Sequence, residues 1–446
     1  MGAIRVCSRS SVELTNLGVA SLKIPSGGRL WSHRDFKRLW LSDTVSQFGN
    51  QFTALALPIL AVLSFNANAF QLGLLIALQT ISFPILGLFV GVIADRSRKR
   101  SIMVACNFGR MATLVSIPVA FFLSALTIYQ LYAVAAINGI FTVFFEISYQ
   151  SYLPVLVDRA DLVEGNAKLQ TSASGAQVVG PTIAGFVYET TGGALTIAVD
   201  AIGYLASALA LLSIRKPEPT SPSDHLLSGQ KKGNFFVEMR EGIHIVFDSD
   251  VIKKMMFSTA TINLGGSIFQ AVLTIFLLKM LSFTPGAIGV LGTIGAVGFV
   301  VGTIVTPSFT QKVGLGPSIA ISSFVPIVAM LQPLALYGFA YPIMGAVGFV
   351  SGLMLPIYNI NTVSLRQSLV SDRLQGRMNA TVRTINWGTI PAGSFIGGIL
   401  GLYVGIVPTI LVGGALSGAG VIWILFSQII RLKEMPKLEE RVSTES

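Results

Sequence analysis

Ionisable residues inside long apolar stretches are the part of this sequence whose residue types could do chemistry. They are the acids Asp43, Glu146 and Asp200 and the base Arg110. A charged side chain in the hydrocarbon core of a bilayer costs roughly 3 kcal/mol or more, so each of these residues is a functional candidate by default. A buried carboxylate takes up or releases a proton when its surroundings change. Proton exchange is therefore the chemistry that these residues could perform.

The expected depth of each group narrows the possible pairings. At 1.5 Å per helical residue, Arg110 and Glu146 each lie ~12 Å from the inner end of their helices, the end on the side of the N-terminus. Asp200 lies deeper, at ~21 Å, and Asp43 lies nearer the inner end, at ~6 Å. Equal depth favours an Arg110–Glu146 pair; the alternatives are that Arg110 extends alone to the head groups or pairs with Asp200 as scaffold. We expect Glu146 to be the principal proton carrier and Asp43 to aid the entry of a proton or a substrate.

Uncharged polar residues follow the charged ones at helical spacing. Gln47 and Asn50 come at i+4 and i+7 from Asp43, so the three share one helix face. The residues that could line a central cavity are Gln47, Asn50, Asn138, Thr142, Tyr149, Asn263, Ser267, Gln270 and Asn359. The alternative for each is a hydrogen bond between helices, worth ~0.6 kcal/mol. The apolar stretches after residue 254 hold Arg383 but no Asp or Glu, so a titrating carboxylate must lie in the first half.

Long apolar stretches must position these residues. Of the 446 residues, 52% are hydrophobic and 12% are charged, whereas a soluble globule carries roughly 25% charged residues. A membrane-spanning helix needs about 20 apolar residues. Twelve stretches meet this need: 39–65, 72–94, 102–126, 129–154, 169–188, 194–214, 255–278, 287–308, 317–336, 341–363, 379–402 and 406–430. We therefore predict an all-α membrane protein with twelve transmembrane helices.

The longest polar connection divides these spans into two sets of six. The predicted regions are a disordered cytoplasmic tail (1–35), an N-terminal six-helix half (36–214), a cytoplasmic linker with an amphipathic helix (215–250), a C-terminal six-helix half (251–430) and a cytoplasmic tail (431–446). The amphipathic helix is indicated by Phe236, Met239, Ile243 and Phe247, whose helical spacing suits a bilayer surface. Asn-Ala and proline-containing segments recur after the fourth and tenth spans. This repeat indicates two pseudo-symmetric halves with a binding site between them.

The distribution of cations predicts the orientation in the membrane. The net charge is +10, but the cations lie between the apolar spans and not along one soluble face, which argues against nucleic acid as a partner. With the N-terminus inside, the inner loops are rich in Lys and Arg, and the outer side holds only Lys279. Short basic loops stay in the cytoplasm. We therefore predict a multi-pass protein of the inner or plasma membrane with both termini in the cytoplasm.

Disulfide, metal and nucleotide chemistry are not indicated. Cys7 and Cys106 are too few for a disulfide framework, and no spacing of Cys and His suggests zinc. The sequence lacks a Walker-type phosphate loop, so an ATP-driven pump is not expected. The expected energy source is a proton gradient, with no cofactor, no metal and no enzymatic activity. The predicted partners of a monomeric chain are a small-molecule substrate, protons and the bilayer.

One short basic loop carries a recognisable pattern. It reads Gly91-Val-Ile-Ala-Asp95-Arg96-Ser-Arg98-Lys99-Arg100 and lies between the second and third spans. This pattern resembles the signature loop of the major facilitator superfamily, which implies a fold of two six-helix halves. The resemblance implies a gating role, in which Asp95 holds the outward-facing state by binding Arg96 or Arg100. Asp95 would also bind a helix N-terminus of the other half near Asn379. The alternative is a basic loop that only sets membrane topology.

Further motifs extend from residue 36 to residue 430. They are Phe36-Lys-Arg-Leu-Trp-Leu, Ser46-Gln47, Leu153-Pro154, Asp161-Leu-Val, Asn166-Ala, Val179-Gly-Pro181, Asp200-Ala-Ile-Gly-Tyr-Leu and Glu241-Gly. Together they resemble the macrolide-efflux-type branch of the drug/proton antiporters. The residues Gly175, Gly180, Pro181 and Gly185 are similar to the Gly-Pro motif with which these antiporters pack helices. The resemblance also makes Asp200 a structural residue, because sixth spans are peripheral in this family.

The resemblance implies a secondary active transporter. Its implied activity is proton-coupled export of hydrophobic small molecules, drug- or macrolide-like, by alternating access, with antibiotic resistance as a consequence. Siderophore exporters share much of the pattern, so export of a siderophore or another secreted metabolite is the first alternative. A non-transporting membrane scaffold or sensor is the alternative of another class. The polar stripes count against it, because a scaffold has no use for a polar central cavity.

Overall fold

The structure, a computed structural model, describes residues 29–158, 161–216, 218 and 235–435. These residues form fifteen α-helices joined by short turns. The helices are α1 (Arg34–Phe65), α2 (Ala69–Thr80), α3 (Ser82–Arg96), α4 (Lys99–Phe122), α5 (Ile128–Leu156), α6 (Leu162–Thr191), α7 (Gly193–Leu212), α8 (Phe235–Asp248), α9 (Asp250–Ile275), α10 (Pro285–Val313), α11 (Leu315–Phe324), α12 (Ala340–Leu369), α13 (Asp372–Tyr403), α14 (Ile406–Gly418) and α15 (Val421–Leu425). A π-helical turn (Phe276–Met280) extends α9, and a 3₁₀-helix (Val325–Tyr337) extends α11. The all-helical prediction is confirmed.

Ten helical segments in the described part of the chain are long and apolar enough to cross a membrane. The two remaining predicted spans, the fifth and the eleventh, correspond to α6 and α13. These helices are 30 and 32 residues long, but they do not reach the hydropathy of the other ten. The reason is visible in their sequences, since beyond their polar starts both helices are still rich in Gly, Ser and Thr and each contains a Pro. Length and composition therefore support a multi-pass membrane protein with ten of the twelve predicted spans.

The second predicted span, 72–94, is not one continuous helix. It divides at Ile81 into α2 and α3. Pro84 has no N–H to donate to the carbonyl four residues earlier, which opens the helical ladder at this point. Gly139 of α5 packs beside the bend, where an added Cβ would lie 2.6 Å from the Gln79 carbonyl oxygen. The bend therefore comes from a proline and is held by a close helix contact.

Successive membrane spans run in opposite directions, which gives the molecule two ends. We call the end that holds Arg34 and Arg431 the terminal end and the opposite end the distal end. We call residues 29–216 the first half of the chain and residues 235–435 the second half. Helix α6 ends and α10 begins at the distal end, and these two helices contact each other across the two halves. Helices α2 and α13 contact each other across the halves in the same way.

The buried apolar residues form one shared core and two separate ones. The shared core lies at the distal end and joins both halves, for example Leu60 of the first and Phe276 of the second. At the terminal end each half has its own core, with Phe36 and Tyr152 in one and Met256 in the other. The halves are therefore packed together at the distal end and have separate cores at the terminal end.

The predicted amphipathic helix of the linker is present as α8, but it is docked on the protein. Gly242 packs on α13, where an added Cβ would lie 2.7 Å from the Arg377 carbonyl oxygen. Glu241 forms an ion pair with Arg377, and Val246 is fully buried. Ile243 and Phe247 remain about 40% exposed on another face. The tails before residue 29 and after residue 435, and the linker from residue 219 to residue 234, lie outside the described residues.

Candidate functional site

Two acids of the first half lie close together on α1 and α5. Asp43 is 3% exposed, and the Gln47 amide lies 3.5 Å from its carboxylate. Tyr149 of α5 also contacts Asp43, and the charge of Glu146 acts on it. The Tyr149 ring stacks on Phe145 of the same helix, with 6.0 Å between centroids. The structure therefore brings together two predicted proton-coupling acids, Asp43 and Glu146, with two predicted cavity residues, Gln47 and Tyr149.

Arg110 is held by aromatic rings and not by a direct ion pair. Its guanidinium lies 4.7 Å from the centroid of Phe145 and 5.0 Å from that of Tyr204. It also donates a hydrogen bond of 3.3 Å to the Phe141 carbonyl oxygen. Among the described residues, no nitrogen of Arg110 lies within 4.0 Å of a Glu146 oxygen. The predicted direct pair is therefore not formed here, because the rings of α5 and α7 hold this cation.

Asp200 is enclosed between α7 and α1. It is fully buried and accepts a hydrogen bond from the Thr53 hydroxyl. Gly49 makes room for it, since an added Cβ would lie 2.2 Å from the Asp200 Oδ1 atom. Asn50 accepts a hydrogen bond from the Tyr204 hydroxyl at the same interface. Asn50, predicted to line the cavity, is thus already hydrogen-bonded inside the first half.

Ser207 is the centre of a further polar contact between α1, α4 and α7. Its hydroxyl lies 2.6 Å from that of Ser42, and it accepts hydrogen bonds from Ser46 at 2.9 Å and Asn107 at 2.8 Å. Sequence reasoning did not single out this cluster, because serine in an apolar stretch is a weak signal by itself. The cluster fixes α7 against α1 and α4, and thereby fixes the positions of Asp43 and Arg110.

A cavity of about 400 Å³ lies between the halves near the closed distal end. Helices of both halves line it. Its polar lining residues are Gln51, Thr274, Gln270 and Gln332, and most of the others are apolar, such as Leu55, Leu277 and Leu291. The Gln332 Oε1 atom is buried and has no hydrogen-bond partner among the residues that the structure describes. Sequence reasoning identified Gln270 but missed Gln51, which stands at i+4 from Gln47 on the same polar stripe of α1.

A second cavity of about 340 Å³ lies within the second half. The predicted stripe of the seventh span, Asn263, Ser267 and Gln270, lines it. The Asn263 amide donates a hydrogen bond of 3.0 Å to the Asn386 carbonyl oxygen. Because Gln270 lines both cavities, this stripe connects them. The predicted residue Asn359 is exposed on α12.

The polar residues predicted near the distal part of α5 interact mainly within that helix. The Thr142 hydroxyl donates a hydrogen bond of 2.7 Å to the Asn138 carbonyl oxygen. The side-chain oxygen of Asn138 is buried and has no hydrogen-bond partner in the described part of the chain. The Thr142 hydroxyl is therefore hydrogen-bonded within α5, whereas the Asn138 side-chain oxygen can still accept a hydrogen bond.

Arg383 of α13 reaches across to the first half. It is exposed, and its guanidinium lies 5.0 Å from the ring centroid of Trp387 and 5.3 Å from that of Phe83 on α3. The two rings are themselves 4.4 Å apart. Arg383 also acts electrostatically on Glu146 of α5, across the gap between the halves. The sequence placed Arg383 inside a span but assigned it no function.

Glycines allow α6 to approach the second half at the distal end. An added Cβ on Gly185 would lie 2.5 Å from the Pro285 carbonyl oxygen, and one on Gly289 of α10 would lie 2.3 Å from the Pro181 carbonyl oxygen. Gly180 packs on Gln51 of α1. The packing predicted for Gly175 is wrong for this structure, since nothing lies within 4 Å of its Cβ position. Gly175 lies nearer the terminal end, where α6 and α10 no longer meet.

The basic loop is described only in part. The side chains of Asp95 and Arg96 lie outside the described residues, so their predicted contacts remain predictions. Arg100 donates a hydrogen bond of 2.9 Å to the Leu211 carbonyl oxygen at the end of α7. Its backbone N–H donates to Glu218 at 2.7 Å. Arg100 therefore joins α4 to the C-terminal end of α7, where cations are favourable.

A carboxylate at the distal end makes the kind of contact that was predicted for Asp95. Glu189 of α6 accepts a hydrogen bond of 3.1 Å from the Gly286 N–H at the start of α10. The N-terminus of a helix attracts anions. This contact joins the two halves, so it stabilises the state that is closed at the distal end.

Glu189→Gln is expected to favour opening of the distal end. The amide still accepts the hydrogen bond, but the charge at the helix N-terminus is lost, which is worth about 0.3–1 kcal/mol. The reactivity of a cysteine introduced at Gln332, in the closed cavity, should therefore rise about two- to fivefold towards a membrane-impermeant maleimide. Glu434→Gln at the exposed terminal end is the control. Equal reactivity in the two variants would show that the Glu189 charge has no such role.

Two sets of membrane helices that meet at one end, with partly polar cavities at and beside their contact, have the architecture of the major facilitator fold. Solved structures share this fold. A bacterial homologue of the iron transporter ferroportin in an inward-facing state has a TM-score of 0.67 at 16% identity, covering 88% of this chain and 98% of that one. The nucleoside transporter NupG has a TM-score of 0.66 at 15% identity, covering 88% and 97%.

Residues 30–445 match the family described as transmembrane secretion effector, and the chain belongs to this family of the major facilitator superfamily. It is a membrane transporter family and not an enzyme family. Macrolide efflux protein A of Streptococcus pyogenes is 20% identical over 381 residues, covering 85% of this chain and 93% of that protein. The multidrug efflux pump Tap of Mycolicibacterium fortuitum is 22% identical, covering 81% and 88%. The enterobactin exporter EntS of Salmonella typhi is 22% identical, covering 92% and 95%.

Proposed function

We propose that the protein is a proton-coupled exporter of hydrophobic small molecules, drug- or macrolide-like, that works by alternating access. The observation that carries the proposal is Glu146, a carboxylate at membrane depth on which the Arg383 charge acts across the gap between the halves. Such a group can change its protonation when the gap changes its connection to water. The relatives named as macrolide and multidrug efflux proteins support this class of substrate.

The lining of the cavities supports a largely apolar substrate. Leucine, isoleucine and methionine side chains make up much of the surface, and a few amides such as Gln51 and Gln270 converge on it. A site of this kind binds an apolar body by burial and fixes its orientation with a small number of hydrogen bonds. A macrolide-like molecule, with a large apolar ring system and scattered oxygens, has this chemistry.

The proposed orientation makes the structure an inward-open state. The cation distribution supports a cytoplasmic terminal end, and the halves have separate cores at that end. In this proposal α6 and α13 also cross the bilayer, which gives twelve spans in two six-helix halves, 36–214 and 251–430. The same orientation places α8 at the cytoplasmic surface of the bilayer.

Orientation can be tested with a single cysteine at Ser223, in the linker. Labelling by a membrane-impermeant maleimide should require permeabilised cells, because the inner loops carry the cations. A cysteine at Tyr337, which is 90% exposed at the distal end, is the matched control and should react in intact cells. Labelling at Ser223 in intact cells would overturn the orientation.

The function itself can be tested by comparing drug accumulation in cells that lack and that overexpress the protein. Overexpressing cells should accumulate less of a labelled macrolide, and a protonophore should abolish the difference. Inverted vesicles should take up the macrolide when a proton gradient is imposed. If macrolides and other hydrophobic drugs accumulate equally in both strains, drug export is excluded.

Export of a siderophore is the second candidate. It is favoured by the enterobactin exporter, whose similarity extends over 92% of this chain. The same pair of strains should then differ in the secretion of a catecholate siderophore and not in drug accumulation. A protein that transports neither class in vesicles would fit the remaining alternative, a membrane scaffold or sensor.

A further inference from the structure

Two opposite charges from different halves lie at similar depth without an ion pair. Glu146 is ten residues from Leu156, the terminal end of α5, which corresponds to ~15 Å at 1.5 Å per residue. Arg383 is eleven residues from the start of α13, or ~17 Å by the same measure. Neither makes an ion pair within 4.0 Å among the described residues. Each charge therefore lies at membrane depth without a direct opposite partner, which is costly.

Both residues lie on the open side of a contact between the halves. The Phe83 and Trp387 rings touch there, and the Cβ position of Gly388 is 3.7 Å from Pro84. Arg383 is one helical turn from Trp387 towards the terminal end. Glu146 is two turns from Gly139, which packs beside the α2–α3 bend, in the same direction. A rotation that closes the terminal end about this contact therefore brings α5 and α13 together at the level of these charges.

The contacts that hold the Arg383 guanidinium in its present position are weak. Its stack on Phe83 and Trp387 is a cation–π contact, worth about 0.5–1 kcal/mol at an exposed site. A hydrogen-bonded carboxylate in a closed, dry gap binds a guanidinium more strongly than an aromatic face does. Arg110 is held on α4 by two rings and a carbonyl oxygen, so it is less free to move.

We propose that Arg383 is a positioning residue for Glu146: when the terminal end closes, its guanidinium leaves the Phe83–Trp387 platform and pairs with the ionised Glu146 carboxylate across the halves. This inference rests on the proposed proton-coupled transport. In this inference, the ion pair between the halves couples the protonation of Glu146 to the opening and closing of the terminal end. Protonation of Glu146 neutralises the carboxylate, breaks the pair and lets the terminal end open. Deprotonation restores the pair and closes that end.

Other charged and titratable groups face Glu146 and share in its response to pH. They are Asp43 on α1, Arg110 on α4, Tyr204 on α7 and Arg383 on α13, and Tyr149 on α5 is hydrogen-bonded to Asp43. Only Arg383 belongs to the second half. Closing the terminal end therefore changes the distance between Glu146 and Arg383 more than any other of these distances.

The test uses the full-length protein in nanodiscs and spin labels at the exposed residues Ser101 and Ser371, which mark the terminal ends of the two halves. Cys7→Ser and Cys106→Ser remove the native thiols. The distance distribution is measured at pH 5 and pH 8. At pH 8 the short-distance, closed population should grow in the parent protein. Arg383→Gln and Glu146→Gln should each lower it about tenfold or more, since each leaves one charge unpaired.

Three further variants separate pairing from a merely structural role. The charge exchange Glu146→Arg with Arg383→Glu should restore much of the closed population. Phe83→Ala should increase it, because this variant weakens the platform that holds Arg383 in the open state. Lys312→Gln, which removes an exposed cation at the end of α10, should behave as the parent does. Equal populations in the parent and Arg383→Gln, or an exchange no better than the single variants, would overturn the inference.

These measurements need no substrate, so they test the proposed Glu146–Arg383 pair independently of the proposed transport function. If the distances respond as described but no compound is carried, the pair stands and the proposed function falls. If macrolide export is driven by protons but Arg383→Gln leaves the distances unchanged, the function stands and the pair falls.

Discussion

Glu146→Gln is expected to abolish transport driven by a proton gradient while retaining exchange of substrate across the membrane. The amide has the size of the protonated acid, but it cannot release a proton. The variant therefore resembles the protein with Glu146 permanently neutral, in which the cavity can still bind and move a substrate. Gradient-driven uptake of a macrolide into inverted vesicles should fall about a hundredfold, since a coupling carboxylate acts as an all-or-none carrier. Counterflow without a gradient should persist and fall by about tenfold only, in step with the smaller closed population expected for this variant.

Two other acids provide the comparison in the same vesicles. Asp43→Asn should slow gradient-driven uptake without abolishing it, because Asp43 lies beside Glu146 but is nearly enclosed. Asp200→Asn should leave uptake near the parent level, since the Asn side chain can still accept the hydrogen bond from Thr53. If Glu146→Gln and Asp43→Asn retain uptake and Asp200→Asn loses it, the assignment of the proton carrier is wrong.

The sequence predicted most about fold and function at positions where burying a residue type in a membrane costs free energy. The helical class and the superfamily followed from apolar stretches and one loop pattern, because a bilayer tolerates few other arrangements of such a chain. The same cost identified Glu146, Asp43, Asp200 and Arg110 as special. It did not identify their partners, since a pairing depends on the rotation and tilt of each helix. Equal depth predicted Arg110 beside Glu146, whereas the rings of Phe145 and Tyr204 hold Arg110 instead.

The conformation of the protein was beyond sequence reasoning. Gly175 and Gly185 belong to the same motif, yet Gly185 packs on α10 and Gly175 faces open space. The difference arises because the halves meet only over part of α6 in this state. The sequence assigned no function to Arg383 for a related reason. The role proposed for Arg383 depends on its position relative to Phe83 and Glu146, which belong to the other half. A pattern along one chain segment does not show which surfaces approach each other in a given state.

Gly73→Ala is expected to open the distal end. Gly73 of α2 lies against α13 of the other half, where an added Cβ would be 2.5 Å from the Ser394 carbonyl oxygen and 2.7 Å from the Gly398 Cα atom. Backbone atoms cannot move aside as a flexible side chain can, so the methyl group must push the two helices apart. Overpacking of this kind costs about 1–3 kcal/mol. This cost falls on the state in which the distal ends touch, and it is relieved when they separate.

The expected readout is the reactivity of a cysteine introduced at Gln332, which is buried in the distal cavity. A membrane-impermeant maleimide added from the distal side should react about tenfold faster in Gly73→Ala than in the parent, the effect of about 1.4 kcal/mol. Gly87→Ala is the matched control, because nothing lies within 4 Å of its Cβ position on the same bent span. Both variants gain the helix preference of alanine over glycine, up to about 1 kcal/mol, so the comparison isolates the contact between halves. Equal reactivity in Gly73→Ala and Gly87→Ala would mean that the α2–α13 contact does not determine which end is open.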